Sequence, residues 1–497
     1  MNFARDVVGA APPDALALVE RAAGGGRRTW SFGEIAGAAS RFASALAARG
    51  VRRGDVVLTL VGNRPDWVIA MVACLRAGYV VLPCTEQLRA KDLALRISVA
   101  RPAAIVCDER NRAELEAALG GARDVAVLLV PDRSLFAESA AAPPPFADLA
   151  PQDPCLITFT SGTAGEPKAV VHGQRYLTGQ SVQAEHWLDA RPGELVWCTA
   201  ASGWSKSARN VFIAPWLRGA PALLHDGRFD PAERLAILDE EDVGVLCMAP
   251  TEFRVLVKRG QPRPVAGLRG LVAAGEALDA EVLRAYHAAT GLWIRDGYGQ
   301  TETGQTTGQL PGAQPRPGSM GRALPGVELS VVDDELCLDP RSVPTFFLGY
   351  VGDGVERAAD GSWVVDDRRD RGLWHTGDRV RRDDDGFLHF VGRADDVIIS
   401  AGYRIGPFEV ESALVSHPAV AEAAAVAADD EERGSVVRAI VVLREGEHGS
   451  DALARELQEH VKAQTAPYKY PRIVEFADAL PKTDSGKVRR AALRSER

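Results

Sequence analysis

The sequence lacks the cysteine pattern of a disulfide framework or of a structural zinc site. Its seven cysteines are scattered over 497 residues, and none of them forms a CxxC pair. We therefore expect small, buried, reduced side chains, which are typical of a protein from a reducing compartment.

Long apolar runs are also missing. No stretch approaches the roughly 18 consecutive apolar residues that a membrane-spanning helix needs. The opening residues, MNFARDVVGAAPPDALALVE, have neither the basic n-region nor the unbroken apolar h-region of a secretory signal. Together with the cysteines, these features predict a cytoplasmic protein without a membrane span.

An excess of positive charge is absent as well. The formal net charge is −9 and the sequence pI is about 5.6. This balance argues against a surface that binds nucleic acid or anionic lipid, although a local basic patch could still bind the phosphates of a nucleotide. Hydrophobic residues make up 46% and charged residues 25% of the chain, as in ordinary globular proteins.

What the sequence does contain is an alternation of helix signals and short apolar runs. Ser31 and Glu34 have the spacing of a capping box, and Pro65 suits the first turn of a second helix. Residues 56–61 and 79–82 are compact apolar runs that predict strands. Such βαβ order predicts a mostly parallel sheet with helices on its faces.

The pattern changes towards the C-terminus. From about Glu328 short strands alternate with acidic turns, and beyond Arg393 helices are predicted to begin at Pro407 and Asp451. The predicted fold class is α/β: a large N-terminal domain with mostly parallel sheets flanked by helices, plus a smaller mobile α+β C-terminal domain. We place the domains at residues 1–394 and 395–497.

The first chemical motif follows a predicted strand and reads Thr160-Ser161-Gly162-Thr163-Ala164-Gly165-Glu166-Pro167-Lys168. Glycines let the backbone approach an anion, hydroxyls and amides donate to phosphate oxygens, and a lysine adds charge. The spacing is not that of a GxxxxGK[ST] loop. By itself, such a segment is more often an ordinary turn than a phosphate site.

The second motif is Asp296-Gly297-Tyr298-Gly299-Gln300-Thr301-Glu302-Thr303-Gly304. An aromatic face can stack on a nucleobase, a hydroxyl can reach a phosphate, and a carboxylate can hold Mg²⁺. A polar loop with a buried tyrosine explains the segment equally well.

Two further motifs lie towards the C-terminus. Trp374-His375-Thr376-Gly377-Asp378 is followed by Gly392-Arg393-Ala394-Asp395-Asp396, and the last motif is Pro481-Lys482-Thr483-Asp484-Ser485-Gly486-Lys487. A carboxylate can accept hydrogen bonds from both ribose hydroxyls, and an arginine can add a donor. Taken singly, surface ion pairs and a solvated lysine are the commoner explanations.

In this order and spacing the four motifs resemble the adenylate-forming superfamily of acyl-CoA synthetases, adenylation domains and luciferases. The resemblance covers nearly the whole chain and is strongest to the medium-chain acyl-CoA synthetases. The segments that carry the closer likeness are Gly203-Trp204-Ser205-Lys206-Ser207, Ala249-Pro250-Thr251-Glu252-Phe253-Arg254, Gly402-Tyr403-Arg404-Ile405-Gly406-Pro407 and Tyr468-Lys469-Tyr470-Pro471-Arg472. Departures are Cys84, where glycine is usual, Ala277, where proline is common, and Ala200-Ala201-Ser202, where an acidic residue often stands.

The resemblance implies a role for each matched residue. ATP would be bound by Thr160, Ser161, Gly162, Thr163, Gly165, Lys168, Gly275, Glu276, Ala277, Asp296, Tyr298, Gly299, Thr301, Asp378 and Arg393. Among these, Tyr298 would stack on adenine, Thr301 would contact the α-phosphate, and Asp378 would accept from the ribose. Glu302 would bind Mg²⁺, and Lys487 would reach the carboxylate and the α-phosphate; Lys487, Thr301 and Glu302 are the implied catalytic residues.

A second set of roles concerns the thioester step. The resemblance implies a hinge at Asp395 and a tunnel for coenzyme A lined by Gly402, Tyr403 and Arg404. Trp204 is a candidate for the junction of the acyl pocket and that tunnel; a tryptophan of the core is nearly as good an explanation.

The implied function is ATP-dependent activation of a small carboxylic acid through an acyl-adenylate, followed by transfer to coenzyme A. ATP, Mg²⁺ and coenzyme A are the implied cofactors and substrates.

A first alternative is an adenylating enzyme that passes the acyl group to a carrier protein, an amine or another nucleophile. A second alternative is a catalytically inactive binding protein of the same fold. It is disfavoured because the polar residues that the resemblance implies for catalysis and nucleotide binding are all present: Thr301, Glu302, Asp378, Arg393 and Lys487. A stand-alone enzyme that activates amino acids is less well supported, because the sequence shows no clear acidic residue to bind the amino group of such a substrate. The acid and the oligomeric state stay open.

Overall fold

The computed structural model describes residues 1–121, 125–132, 142–160, 167–276, 278, 280–313, 315–358, 360–394, 396–400, 403–430, 434–465, 467–483 and 486–495. Its strands, in chain order, are β1 Leu16–Arg21, β2 Arg27–Ser31, β3 Val56–Leu60, β4 Val80–Cys84, β5 Ala104–Asp108, β6 Ala126–Val130, β7 Pro154–Phe159, β8 Ala169–Gly173, β9 Leu195–Cys198, β10 Ala222–His225, β11 Val243–Met248, β12 Gly270–Ala274, β13 Ile294–Gln300, β14 Gly304–Gly308, β15 Arg322–Ala323, β16 Leu329–Val332, β17 Glu335–Leu338, β18 Gly349–Val351, β19 Gly354–Arg357, β20 Trp363–Val365, β21 Trp374–Arg382, β22 Leu388–Arg393, β23 Ile398–Ser400, β24 Tyr403–Ile405, β25 Val420–Asp430, β26 Gly434–Leu443 and β27 Ile473–Phe476.

The α-helices of the described residues are α1 Phe32–Ala47, α2 Pro65–Ala77, α3 Ala90–Ala100, α4 Arg112–Leu119, α5 Arg175–His186, α6 Ser205–Ala208, α7 Ala214–Leu217, α8 Pro231–Glu240, α9 Pro250–Val255, α10 Ala280–Thr290, α11 Pro407–Val415, α12 Asp451–Gln464 and α13 Arg490–Ser495. Helices α6 and α7 are joined by the wider helical turn Arg209–Ile213. Among the described residues, no helix is long and apolar enough to cross a bilayer.

Two large sheets form the main body of the protein. The first has the order β15-β14-β13-β12-β11-β9-β10-β1-β2, and the second has the order β20-β19-β18-β8-β7-β4-β3-β5-β6. Strands β13, β12, β11, β9, β10 and β1 run parallel, as do β7, β4, β3, β5 and β6. The predicted α/β class, with mostly parallel sheets flanked by helices and a smaller C-terminal part, is confirmed.

Local signals act as the sequence predicts. Ser31 and Glu34 form the capping box of α1, and Pro65 is the first residue of α2. Gly78 ends α2 with φ 73°, a left-handed conformation that favours glycine. Strands β3, β4 and β5 are buried along their whole length, which is why they read as unbroken apolar runs.

Three smaller sheets complete the fold. One has the order β16-β17-β21-β22, the second pairs β23 with β24, and the third has the order β25-β26-β27. The elements after β22 enclose their own hydrophobic cluster, which includes Val410, Leu414 and Leu457. Helices α11 and α12 begin at the predicted residues, Pro407 and Asp451.

The cysteines behave as predicted. All seven are buried and none is in a disulfide. Burial raises the pKa of the Cys84 and Cys107 thiols to about 12, so both stay protonated at neutral pH.

Candidate active site

Several predicted site residues lie at one edge of the first sheet. Strands β9, β11, β12 and β13 are parallel neighbours, so the segments that follow their carboxyl ends lie side by side. These segments carry Lys206, Glu252, Gly275 and Thr301. The motif Asp296–Gly304 is therefore not a polar loop: it is strand β13 and the turn that connects it to β14.

The glycines of this motif are required by the hairpin of β13 and β14. A Cβ atom on Gly299 would lie 1.9 Å from the Gly304 carbonyl oxygen, and one on Gly297 would lie 2.3 Å from Gln305 Nε2. Asp296 is buried, accepts a 2.8 Å hydrogen bond from the Gly297 N–H, and has a pKa raised well above its usual range by burial. The close approach of the Gly304 backbone is by itself a sufficient reason for glycine at position 299.

Asp378, on β21, is the centre of a polar network. Its Oδ2 accepts from Tyr298 Oη at 2.5 Å and from Gln300 Nε2 at 2.8 Å. Its Oδ1 lies 3.6 Å from an Arg393 nitrogen, because β21 and β22 pair Asp378 with Arg393 directly. Gln300, on β13, also donates to the carbonyl oxygen of Thr376, on β21, at 2.7 Å. This hydrogen bond connects β13 to β21.

The burial of Asp378 has an electrostatic consequence. Desolvation raises the pKa of its carboxyl, while Arg393, Tyr298 and Gln300 each act to lower it. The side chain is 7% exposed. The carboxylate is therefore surrounded by donors on the protein side, as expected for a group that must stay ionised in a poorly solvated cleft.

Glu302 and Lys168 both lie beside Tyr350. Tyr350 Oη donates to Glu302 Oε1 at 2.9 Å, and Lys168 Nζ lies 5.1 Å from the centre of the Tyr350 ring. Burial raises the pKa of Glu302 above its usual range. Lys168 N–H donates to Thr160 Oγ1 at 2.9 Å, so the two ends of the first motif are held together; residues 161–166, including Ser161, Gly162, Thr163 and Gly165, lie outside the described residues.

Lys487, from the C-terminal segment, reaches the same cleft. Burial, and then repulsion from Lys206, lowers the pKa of Lys487, whereas the negative charges of Glu276 and Asp378 act to raise it. Lys487 is therefore close enough to these three residues for their charges to act on it, although each of them lies more than a hundred positions away in sequence.

The segment after β12 contributes an acidic side chain. Glu276 Oε2 accepts from Thr251 Oγ1 at 2.7 Å and lies 3.4 Å from an Arg254 nitrogen. Gly275 has φ +104°, and a Cβ atom there would lie 3.2 Å from Lys206 Nζ. Glycine is thus favoured both by backbone conformation and by the neighbouring lysine. Ala277 lies outside the described residues.

A small cavity of about 30 Å³ lies beside Lys206. It is lined by Cys198, Ala200, Lys206, Asn210, Cys247, Met248, Ala249, Glu252 and Ala274. Lys206 Nζ donates to the Ala274 carbonyl oxygen at 3.2 Å. Glu252 is paired with Arg234 at 3.0 Å and accepts from the Thr199 hydroxyl. Trp204 caps the start of α6 and is not among the described residues lining this cavity.

Of the residues predicted for the coenzyme A tunnel, the structure describes Tyr403 and Arg404. Tyr403 is 50% exposed and stacks on Tyr468 with 4.4 Å between ring centres. Arg404 is the next residue of the same strand, β24. Gly402 and the predicted hinge residue Asp395 lie outside the described residues. Beside that position, the carboxylate of Asp396 is paired with Arg494 at 2.5 Å.

Sequence reasoning missed several residues of the cleft. Gln300 and Lys206 belong to sequence motifs, but no function was predicted for either. Three further residues belong to none of the motifs: Tyr350, Arg234 and Asn210. For Gln300 the position beside Tyr298 was a usable signal, since alternate residues of a strand share one face. For Tyr350 and Arg234 only the folded chain supplies the neighbours.

The fold and this cleft together define a class: an α/β enzyme with a polar cleft at the carboxyl edge of a parallel sheet. The chain belongs to the AMP-binding enzyme family. The family's main domain matches residues 5–349, and the AMP-binding enzyme C-terminal domain matches residues 409–487.

Curated relatives extend over nearly the whole chain. It is 38% identical to the uncharacterized acyl-CoA ligase YtcI of Bacillus subtilis, covering 95% of this chain and 91% of that protein. It is 37% identical to the mouse mitochondrial acyl-coenzyme A synthetase ACSM3, over 94% of this chain and 84% of that one. The predicted resemblance to the adenylate-forming superfamily, near the medium-chain acyl-CoA synthetases, is confirmed.

Solved structures agree. A benzoate CoA ligase from Burkholderia xenovorans has a TM-score of 0.85 and 27% identity and covers 100% of both chains. The anthranilate CoA ligase AuaEII, solved with anthranoyl-AMP, has a TM-score of 0.85 and 26% identity over 99% of this chain and 96% of that one.

Proposed function

We propose that this chain is an AMP-forming acyl-CoA synthetase, which converts a carboxylic acid and ATP into an acyl-adenylate and pyrophosphate and then forms the CoA thioester with release of AMP. The reaction class is that of its full-length relatives, which are named acyl-CoA ligases and synthetases. The observation that carries the proposal is the polar network of the cleft, in which Asp378 accepts from Tyr298 and Gln300 and lies beside Arg393.

The chemistry of the first step explains why this cleft needs cations. The acid's carboxylate attacks the α-phosphorus of ATP, so two anions must approach each other. Lys487 and Lys206 supply positive charge on the side of the nucleophile, and preorganised charge of this kind lowers the barrier without reorganisation. Thr301 is proposed to donate to the α-phosphate, and Thr160 to Lys168 to enclose the β- and γ-phosphates.

The nucleoside would be held by the network around Asp378. Its carboxylate accepts from protein donors at Tyr298 and Gln300 and can accept from ribose hydroxyls with its remaining lone pairs. The Tyr298 ring is proposed to stack on adenine, with Gly275, Glu276 and Ala277 on the other side. Arg393 adds a donor beside Asp378.

Glu302 is the residue proposed to hold Mg²⁺. A carboxylate enclosed by protein, with a raised pKa and a single protein hydroxyl at Oε1, fits a cation that is bound by one or two carboxylates plus phosphates. When bound, the cation would neutralise phosphate charge. Tyr350 would orient the Glu302 carboxylate by its hydrogen bond.

For the second step we propose that residues 395–497 rotate about Asp395 against residues 1–394. Gly402, Tyr403 and Arg404 would then line the tunnel for the pantetheine arm. The exposure of Tyr403 supports a surface that is available for such a move. We also propose a cytoplasmic location, based on seven buried cysteines that are not in disulfides.

The cavity beside Lys206 supports a compact acid as substrate. Its volume of about 30 Å³ is small, and Met248 stands in its wall. Glu252 does not provide a spare carboxylate for an amino group, because it is held by Arg234 and Thr199. A volume of about 30 Å³ is that of about one water molecule, so only the end of a small tail would enter without movement of the lining side chains.

The test is a mass-spectrometric assay with ATP, Mg²⁺ and coenzyme A against straight, branched and aromatic acids of increasing size. We expect acyl-CoA, AMP and pyrophosphate with short acids, and we expect Met248→Ala to move the optimum towards longer ones. AMP and pyrophosphate without any thioester would show that the acceptor is a carrier protein or another nucleophile. No AMP formation with any acid would refute the proposal.

A further inference from the structure

A second polar cluster lies outside the cleft. Glu335 and Cys337 on β17 and His375 on β21 bring a carboxylate, a thiol and an imidazole together. Cys337 Sγ is 3.4 Å from His375 Nδ1, and His375 Nδ1 is 3.0 Å from Glu335 Oε2. One ligand atom from each residue lies within 4.8 Å of the other two.

The register of two strands creates this convergence. Antiparallel pairing sets Cys337 directly opposite His375, and an irregularity between Glu335 and Cys337 shifts the pairing at that point. Glu335 and Cys337 are two positions apart and therefore share a face of β17. Thr376 and Asp378, which alternate with His375 on β21, are buried on the other face.

The distances fit a tetrahedral metal ion. With the usual zinc bonds of about 2.3 Å to sulfur and about 2.0 Å to nitrogen or oxygen, neighbouring ligands stand about 3.3–3.5 Å apart. The observed separations of 3.4 Å and 3.0 Å need only small adjustments. An ion pair between His375 and Glu335 explains only one of these two distances. It does not explain why the Cys337 thiol also lies next to His375 Nδ1.

The surroundings also suit a metal site. The Gly377 N–H donates to Glu335 Oε1 at 2.7 Å, which orients the carboxylate and points Oε2 at His375, as an outer-shell hydrogen bond does in metal sites. The His375 side chain is 55% exposed, which gives an ion a route from solvent. Cys337 is buried at the base of the cluster.

We propose that Glu335, Cys337 and His375 bind one Zn²⁺ or a similar thiophilic divalent cation, with the fourth position left to water. The site is separate from the position proposed for Mg²⁺ at Glu302. It would tie β17 to β21 on the face opposite Asp378. On binding, the Cys337 thiol releases its proton to solvent and the thiolate sulfur bonds to the metal.

The experiment uses Co²⁺ as a spectroscopic probe on the full-length protein. We expect one equivalent to produce a thiolate-to-cobalt charge-transfer band in the near ultraviolet and tetrahedral ligand-field bands in the visible, and Zn²⁺ to displace both. Cys337→Ser should abolish the charge-transfer band. His375→Ala, at an exposed position that should not disturb folding, should weaken binding at least tenfold.

Two control variants separate this cluster from other donors. Cys198→Ser removes a thiol from the cavity beside Lys206, and His389→Ala removes a histidine that pairs with Asp383 at 3.0 Å on β22. Both should bind Co²⁺ like the unaltered protein. The proposal is overturned if no charge-transfer band appears with saturating Co²⁺, or if the band survives Cys337→Ser and is lost in Cys198→Ser.

Discussion

Tyr298 and Asp378 are joined by a 2.5 Å hydrogen bond from the phenol hydroxyl to the carboxylate. The residue proposed to stack on adenine thus also holds the residue proposed to accept from the ribose. The base and sugar subsites would not be independent, because moving the Tyr298 ring would remove a donor from a carboxylate whose pKa is already raised by burial.

Replacing Tyr298 with phenylalanine should shift the pH dependence of ATP use. Ribose hydroxyls favour the ionised carboxylate, so kcat/KM for ATP should fall as pH falls through the raised pKa of Asp378. Loss of the phenol donor makes ionisation less favourable and moves this acid limb to higher pH. A charged hydrogen bond of about 1.5–3 kcal/mol corresponds to about one to two pH units.

The matched control for that measurement is Tyr79→Phe, which removes a buried phenol hydroxyl that donates to Val51 far from the cleft. Its acid limb should coincide with that of the unaltered protein. An unshifted limb in Tyr298→Phe would show that the hydrogen bond does not govern the ionisation of Asp378.

Lys487→Ala should separate the two half-reactions. Acyl-adenylate formation should fall by about 10²–10³-fold, equivalent to about 3–4 kcal/mol, because a buried cation no longer faces the developing charge. Thioester formation from supplied acyl-adenylate should be largely retained. Both rates are measured by mass spectrometry, and Lys482→Ala, which removes the partner of Glu422, serves as control. Equal loss of both half-reactions would contradict the role proposed for Lys487.

Glu302→Gln should raise the Mg²⁺ concentration needed for half-maximal pyrophosphate formation, on the order of tenfold or more, since an amide oxygen is a weaker ligand than a carboxylate. Tyr350→Phe keeps the charge of Glu302 and removes only its 2.9 Å hydrogen bond, so its effect should be smaller. An unchanged Mg²⁺ dependence in Glu302→Gln would place the cation elsewhere.

Gly402→Leu tests the proposed tunnel. A side chain at this position should obstruct the pantetheine thiol, blocking thioester formation while ATP–pyrophosphate exchange continues. Steady-state CoA consumption and isotope exchange measure the two steps. If thioester formation survives, the tunnel assignment is wrong.

Gly299→Ala should destabilise the protein by about 1–3 kcal/mol, because its Cβ atom would overlap the Gly304 carbonyl and force the hairpin apart. Gly26→Ala is the matched control, since its Cβ atom would meet Ala22 Cβ at an ordinary 3.5 Å. Urea unfolding compares the two variants. Equal stability would mean that the hairpin can relax at no cost.

Much of the fold could be predicted because its signals are local. The capping box at Ser31, the helix starts at Pro65, Pro407 and Asp451, and the apolar runs of buried strands are each decided by neighbouring residues. The second motif shows the limit of such reasoning. A polar loop was one of its two explanations, but its glycines Gly297 and Gly299 are strand residues that allow β13 and β14 to approach closely.

The family motifs named most of the cleft, since each motif is a short run of sequence. The roles of Tyr350 and Arg234 were not predicted because their partners do not adjoin them in the chain: Tyr350 contacts Glu302, and Arg234 pairs with Glu252. A local pattern carries no information about such pairs.

The sequence by itself determined the α/β class, the family and the residue types of the nucleotide cleft, since these follow from local spacing and from motifs that occur together. Only the tertiary structure decided which charges meet. Strand register sets Cys337 against His375, although the cysteine spacing indicated no zinc site, and chain folding brings Tyr298 to Asp378. The physical reason is that hydrogen bonds, ion pairs and metal ligation act over a few ångströms in space, whatever the separation along the chain.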